Sequence, residues 1–320
     1  MRSVLLAATL LAVVSTPSIA QTYPAKPVRI IVGYAPGGGN DVIARLVAKK
    51  FQEETGQPFV VENKVGADTI VATSYVAKSE ADGYTLLVTG MGGFTITPTI
   101  YGDRVTYDPL KDFIAVGTVA RFAYVLAVNT SIKAKTTADL IAYAKANPDK
   151  INYGDAAPPT RLATEIFAKQ SGIVVHRVPY KGSAASAQAL LANDVQMVIS
   201  DATALIAHQG GGAIDILAVT SRDRLKMMPD IPALAETPSL ANFDFDAWVG
   251  LFAPAGTNPA IVTRLNEMIK KIVSQSEARD LLTKIGAEAL TDTPEQAFER
   301  VKRDTTQNSL AAKALNLSAN

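Results

Sequence analysis

Cysteine is absent from this 320-residue chain, histidine occurs twice and tryptophan once. Without cysteine there is no disulfide framework, no thiolate metal site and no cysteine nucleophile. Excess charge is lacking too. With 31 Lys and Arg against 30 Asp and Glu, no general positive field exists to hold nucleic acid or an anionic membrane. The motifs of bond-making chemistry, G-x-S-x-G, H-E-x-x-H and S-x-x-K beside a base, are missing, and no acidic run has Ca²⁺-loop spacing. His176 lies in an apolar strand pattern and His208 precedes Gln209-Gly-Gly-Gly212. They read as a packed and a surface histidine rather than a catalytic or metal pair. Neither a cofactor nor a metal is expected.

What is present starts with an apolar leader. Met1 to Ala20 carries one positive charge at Arg2, an apolar run from Val4 to Val14, and the small residues Ser18 and Ala20 at the positions that signal peptidase reads. This predicts a secretory signal peptide over 1–20, cleaved after Ala20, because the run falls short of the about 20 apolar residues that span a bilayer. Without Arg2 the chain has 30 basic and 30 acidic residues and is formally neutral. The product is expected to be exported, soluble and monomeric.

From Val28 onward, short apolar runs alternate with helical patterns, at 48% apolar residues overall. That pattern predicts an α/β fold with mainly parallel sheets. Strands are expected near Val28–Tyr34, Pro58–Glu62 and Thr85–Thr89, and helices over Asp41–Thr55 and Ile70–Lys78. The alternation restarts at Ala123–Val128 and continues through Thr137–Ala146, Ile151–Gly154, Pro159–Ser171, Val174–Val178, Ser183–Leu191, Val195–Ile199 and Ile214–Thr220. A strand near Phe245–Phe252 precedes a helical tail over Pro259–Ser274, Glu277–Ile285 and a last helix opened by Thr293-Pro-Glu-Gln296, a capping box. A tail with helices but little strand suggests that the second unit is inserted into the first. The expected architecture is a two-lobed clamshell with two crossover strands, residues 21–124 plus 247–320 forming one lobe and 125–246 the other.

Two loops suit an anionic ligand. Tyr34-Ala-Pro-Gly-Gly-Gly-Asn-Asp41 joins a strand to a helix N-terminus, where free amides and a partial positive charge receive carboxylate or phosphate. It also reads as a tight turn capped by Asn40 or Asp41. Asn152-Tyr-Gly-Asp-Ala-Ala-Pro-Pro-Thr-Arg161 has the same form in the second unit. Thr160 offers a hydroxyl, and Arg161 stands in the first helical turn against the macrodipole, asking for an anionic partner. That partner is either Glu165 or Asp155, or else a ligand carboxylate held bidentately.

Taken together these segments resemble the Bug-type substrate-binding receptors of the tripartite tricarboxylate transporter family. The likeness is collinear from Tyr23-Pro-Ala-Lys-Pro27 through Ala35-Pro-Gly-Gly38, Val61-Glu-Asn-Lys64, Asp82-Gly-Tyr-Thr-Leu-Leu87, Tyr107-Asp-Pro109 and His176-Arg-Val-Pro-Tyr-Lys-Gly182. It closes with Leu217-Ala-Val-Thr-Ser221, Trp248-Val-Gly250 and Ala253-Pro-Ala-Gly-Thr257. The resemblance implies a periplasmic clamshell of the type II binding-protein kind that captures a small organic acid and delivers it to membrane permease subunits. It places Tyr34, Pro36, Gly37, Gly38 and Asp41 on the first ligand-binding element and Thr160 and Arg161 on the second, with Met91 and Asp201 on cleft-facing loops.

Two departures shape the expected ligand. A Gly-Ala-Gly-Gly run usual in the family is Gly66-Ala-Asp-Thr69 here, which puts the Asp68 carboxylate where bare backbone is usual. The second-lobe loop has Thr160-Arg161 in place of a Thr-His pair. These features suggest one ligand carboxylate facing Arg161 and a donor or cationic group facing Asp68, so a tricarboxylate is disfavoured. A sensor presenting its ligand-bound surface to a signalling partner, or an exported enzyme on the same scaffold, are the alternative readings. Trp248 is expected to pack at the hinge rather than stack on ligand.

Overall fold

A computed structural model describes residues 23–318, so the leader and its cleavage site lie outside the described residues. In chain order the elements are β1 (Val28–Val32), α1 (Gly39–Thr55), β2 (Phe59–Asn63), α2 (Ile70–Ala77) and β3 (Thr85–Gly90), then a π-helical turn at Gly92–Ile96 leading into α3 (Thr97–Tyr101). Next come β4 (Phe113–Asn129), α4 (Thr137–Ala146), β5 (Asn152–Asp155), α5 (Pro158–Ser171), β6 (His176–Pro179), α6 (Ser183–Leu191), β7 (Met197–Asp201), α7 (Ala202–Leu205) and β8 (Ile214–Val219). The chain returns through β9 (Asp246–Pro254), α8 (Pro259–Ser274), α9 (Ser276–Lys284), β10 (Ala287–Ala289) and α10 (Pro294–Ala314).

The strand order is β2-β1-β3-β9-β4-β7-β5-β6, with β8 and β10 also on β4. Parallel pairing holds for β2–β1–β3 and for β7–β5–β6, as expected where helices connect strands. The strands around β4 and β9 are antiparallel, so each sheet is mixed rather than mainly parallel. β4 serves both lobes. Phe113 to Ala123 pair with β9, whereas Tyr124 to Asn129 pair with β7 and β8. This strand is far longer than the Ala123–Val128 segment read from the sequence. Apart from Ile114 and Arg121 every residue of it is buried, so it shows neither period-two alternation nor a turn to mark its start.

Local signals explain the helix ends. The Thr136 hydroxyl accepts from the Asp139 amide and the Asp139 carboxylate accepts from the Thr136 amide, a capping box that opens α4. Thr293 and Gln296 do the same for α10. Gly56 ends α1 at φ 69°, where an L side chain would be strained. Phe94, Phe113, Phe252 and Trp248 form an aromatic core under the crossover strands. Trp248 is buried and its indole Nε1 donates to Asp304 Oδ2 at 2.7 Å, the packing role expected of it. His176, expected to be packed, is instead about half exposed on the edge strand β6, with Nε2 3.0 Å from Asp149 Oδ1. Its apolar neighbours in sequence hid the fact that no strand covers β6 on its outer side. Among the described residues no helix is long and apolar enough to cross a membrane.

Candidate functional site

The first loop leaves β1 at Val32 and enters α1 at Gly39. Gly37 takes φ +84°, a left-handed turn position that glycine fills without strain. Its amide donates to Asp41 Oδ2 at 2.9 Å. The same carboxylate accepts from Arg45 Nε at 2.9 Å, Arg45 Nη2 at 3.0 Å and Asn63 Nδ2 at 2.8 Å, while Asn63 Nδ2 also donates to the Tyr34 carbonyl at 3.0 Å. Asp41 is 2% exposed. Burial alone would raise its pKa, but Arg45, the Gly37 amide and Asn63 outweigh it and hold the carboxyl below its ordinary 3.8. Asp41 therefore braces the turn with its acceptors filled by its own chain. Pro36, Gly37 and Gly38 are exposed. Asn40 Oδ1 is buried and finds no donor among the described residues.

The second loop differs from the first in its donors. α5 opens with Pro158 and Pro159, and proline has no N–H. Of the four amides that a helix start leaves free, the two prolines supply none and that of Ala157 donates to Asp155 Oδ1 at 3.2 Å and Thr160 Oγ1 at 3.1 Å, so only that of Thr160 remains before the Arg161 amide makes the first intrahelical bond, to the Ala157 carbonyl at 3.0 Å. The Thr160 hydroxyl is turned back as well, accepting from the Ala157 amide at 3.1 Å and donating to the Ala157 carbonyl at 2.8 Å. This helix start is poor in amide donors, which leaves the Arg161 guanidinium as its cationic group. Neither partner expected from the sequence holds Arg161. Glu165 accepts from the Tyr153 hydroxyl at 2.6 Å, and Asp155 accepts from Arg177 Nε at 2.6 Å. Arg161 Nη1 instead donates to the Ser318 carbonyl at 2.6 Å, and its buried Nε meets no acceptor among the described residues.

Arg161 and Asp68 come together across the lobes. They line one pocket with Tyr101 from the first lobe and Asp155, Arg177 and Tyr180 from the second. Two carboxylates and two guanidiniums balance within it. Asp68 Oδ2 accepts from the Tyr101 hydroxyl at 2.7 Å, and burial, reinforced by that carboxylate, pushes the phenol up to about 12. Asp155 is nearly fully buried, and desolvation raises its pKa against the opposing pull of Arg177. Ala67, Asp68 and Thr69 all take positive φ, 45°, 48° and 76°. The left-handed backbone at Asp68 and Thr69 suits the glycines usual at those two positions.

The remaining residues lie deeper. Asp201, at the end of β7, accepts from the Ser183 hydroxyl and pairs in register with Tyr124. Burial raises its pKa, with Ser183 opposing. The Tyr34 phenol is also raised, by burial first and then by Asp68 and Asp201, which puts these three groups within electrostatic reach. Met91 is buried in the core and precedes the π-helical turn. Next to it Gly92 meets the other lobe: a Cβ there would sit 2.7 Å from Pro159 Cγ, so the lobes are apposed. Arg177, Tyr101, Tyr180 and Asp155 were not singled out as ligand residues from the sequence. Arg177 was signalled by its place in His176-Arg-Val-Pro-Tyr-Lys-Gly182, one strand over from Asp155.

Residues 43–317 match the family described as "Tripartite tricarboxylate transporter family receptor". The Bordetella pertussis protein BugT is 34% identical over 290 residues, 88% of this chain and 87% of BugT. R. palustris Rpa4515, solved with adipate, superposes with a TM-score of 0.86 at 32% identity, covering 92% of this chain and 99% of that one. MatC from Rhodopseudomonas palustris with bound malate gives a TM-score of 0.79 at 26% identity, over 90% of this chain and 99% of MatC.

Proposed function

Because the chain belongs to the tripartite tricarboxylate transporter receptor family, we propose that its inter-lobe pocket takes a small organic acid with one carboxylate on Arg161. The family's members are periplasmic solute-binding receptors for small carboxylates that feed such transporters, and this chain is a receptor of that kind. The observation that carries the reading is the pocket shared by Arg161, Arg177, Asp68 and Asp155. A guanidinium edge receives a carboxylate in bidentate fashion. Asp68, bound on one oxygen by Tyr101, favours a donor or cationic group at the ligand's other end.

Capture is a population shift. A ligand touching both lobes binds the closed arrangement better than the open one and biases the equilibrium by that difference. Tyr34, Asn40 and Asp201 are proposed to face the ligand from deeper in the cleft, and the exposed backbone of Pro36 to Gly38 to face it from nearer the surface. The Asn40 oxygen without a donor and the exposed turn backbone support this. Asp41 and Thr160 act from behind by holding the two turns, and Met91 by packing the loop. The lobes are proposed to comprise residues 21–124 with 247–320, and 125–246. The change of partner along β4 between Ala123 and Tyr124 supports this division. Export with cleavage after Ala20 and a monomeric state complete the proposal.

Adipate, malate, citrate and ε-aminocaproate distinguish the ligand classes by calorimetry on the purified protein. ε-Aminocaproate carries an ammonium where adipate has its second carboxylate, at the same chain length. It is expected to bind at least as tightly as adipate, and citrate least tightly. Citrate binding most tightly would overturn the assignment of Asp68.

A further inference from the structure

The last helix of the first lobe ends against the second lobe. α10 is fixed along its length to the first lobe and its strand β9, through the Trp248–Asp304 bond and through Asn308 Nδ2 donating to Thr95 Oγ1 at 2.8 Å. Past its end, Leu315 and Leu317 pack against the core cluster that contains Leu162 and Phe167 of α5. Two cations of α5 reach across to this segment. Lys169 Nζ donates to the Ala314 carbonyl at 3.4 Å and Arg161 Nη1 to the Ser318 carbonyl at 2.6 Å. Eight residues apart, they share one helix face. The last carbonyls of a helix, that of Ala314 among them, lack intrahelical partners and carry partial negative charge, so they suit cations, while Ser318, beyond the helix, offers an ordinary backbone acceptor.

A hinge closure about the crossover strands would turn α5 relative to α10, so these contacts would form in one arrangement of the lobes and loosen in the other. The arrangement that has them is the apposed one, with Gly92 against Pro159. The contact also orients Arg161. With Nη1 engaged by Ser318, the Nε–Nη2 edge is the one left to receive a carboxylate side-on, and Nε is the buried atom without an acceptor among the described residues.

We propose that residues 315–318 form an inter-lobe clasp that favours the closed arrangement and positions Arg161 for the ligand carboxylate. This rests on the reading of Arg161 as the carboxylate anchor. The clasp raises the closed fraction before ligand arrives, and apparent affinity scales with that fraction. Lys169 strengthens the clasp without touching ligand.

The chain has no native cysteine, so Gln52→Cys on α1 and Ala192→Cys after α6, both exposed, accept one spin label each and report the inter-lobe distance. In that background, truncation before Leu317 and, separately, Lys169→Gln are compared with the full chain. Both are expected to change and broaden the ligand-free distance distribution. Truncation is expected to weaken adipate binding about tenfold and Lys169→Gln about threefold, with adipate restoring the closed distances. If truncation prevents folding, judged by circular dichroism, Lys169→Gln alone decides. Folded variants with unchanged distances and unchanged affinity would overturn the clasp. An Arg161→Ala chain that binds carboxylates normally would instead remove the anchor reading, and the ligand-free distances would still judge the clasp.

Discussion

The indole Nε1 of Trp248 donates to Asp304 Oδ2 at 2.7 Å, while Arg303 holds the other oxygen at 2.7 Å. This bond ties a crossover strand to the helix that ends on the opposite lobe. Both partners are buried, so the indole proton has no water to turn to. Asp304→Ala should cost about 2 kcal/mol, the penalty of a buried donor left unpaired, read from urea unfolding. Trp248 is the only tryptophan, so the same change should shift its emission.

Gly92 sits where a Cβ would lie 2.7 Å from Pro159 Cγ, and its φ is not in the left-handed region. A larger residue there meets the other lobe rather than its own backbone. Gly92→Val is expected to hold the lobes apart and weaken the best ligand about tenfold, the size of a typical overpacking cost, with less effect on the unfolding midpoint than on affinity. Calorimetry beside thermal unfolding separates the two.

Asp68 offers a negative charge to the end of the ligand away from Arg161. Asp68→Asn removes it and keeps an acceptor for Tyr101. Adipate should gain affinity relative to ε-aminocaproate by about tenfold, as removal of a like charge at close range implies. An unchanged ratio would place the far end of the ligand elsewhere.

Acid should find the Asp41 brace. The carboxyl is held below 3.8 because Arg45, Gly37 and Asn63 outweigh burial, so the folded chain binds its proton less readily than the unfolded one. It therefore contributes stability that is fully present above the unfolded value and lost as pH falls through the folded one. Asp41→Asn should lower the urea midpoint at pH 7 and make its fall below about pH 4 shallower.

Much of this was legible in the sequence where a local signal marks an element. α4, α6 and α8 were read over the residues they occupy, α4 from its Thr cap and the proline that follows it, α8 from its leading proline and α6 from its run of alanines. β4 was half missed because burial on both faces erases the alternation that marks a strand. Asp68 and Thr69 could be recognised as unusual only against the family's glycines. The partner of Arg161 was out of reach altogether. Ser318 lies 157 residues away, and the two prolines that leave the α5 start poor in amide donors matter only once that helix is known to begin at Pro158.

The central claim is that Arg161 grips a ligand carboxylate between the lobes. Isothermal titration of the Arg161→Ala chain with the tightest ligand among adipate, malate and ε-aminocaproate tests it most directly. The account predicts a loss of about ten- to a hundredfold, the worth of a charged hydrogen-bonded pair, in a protein whose circular dichroism is unchanged. Undiminished affinity in that folded variant would contradict it.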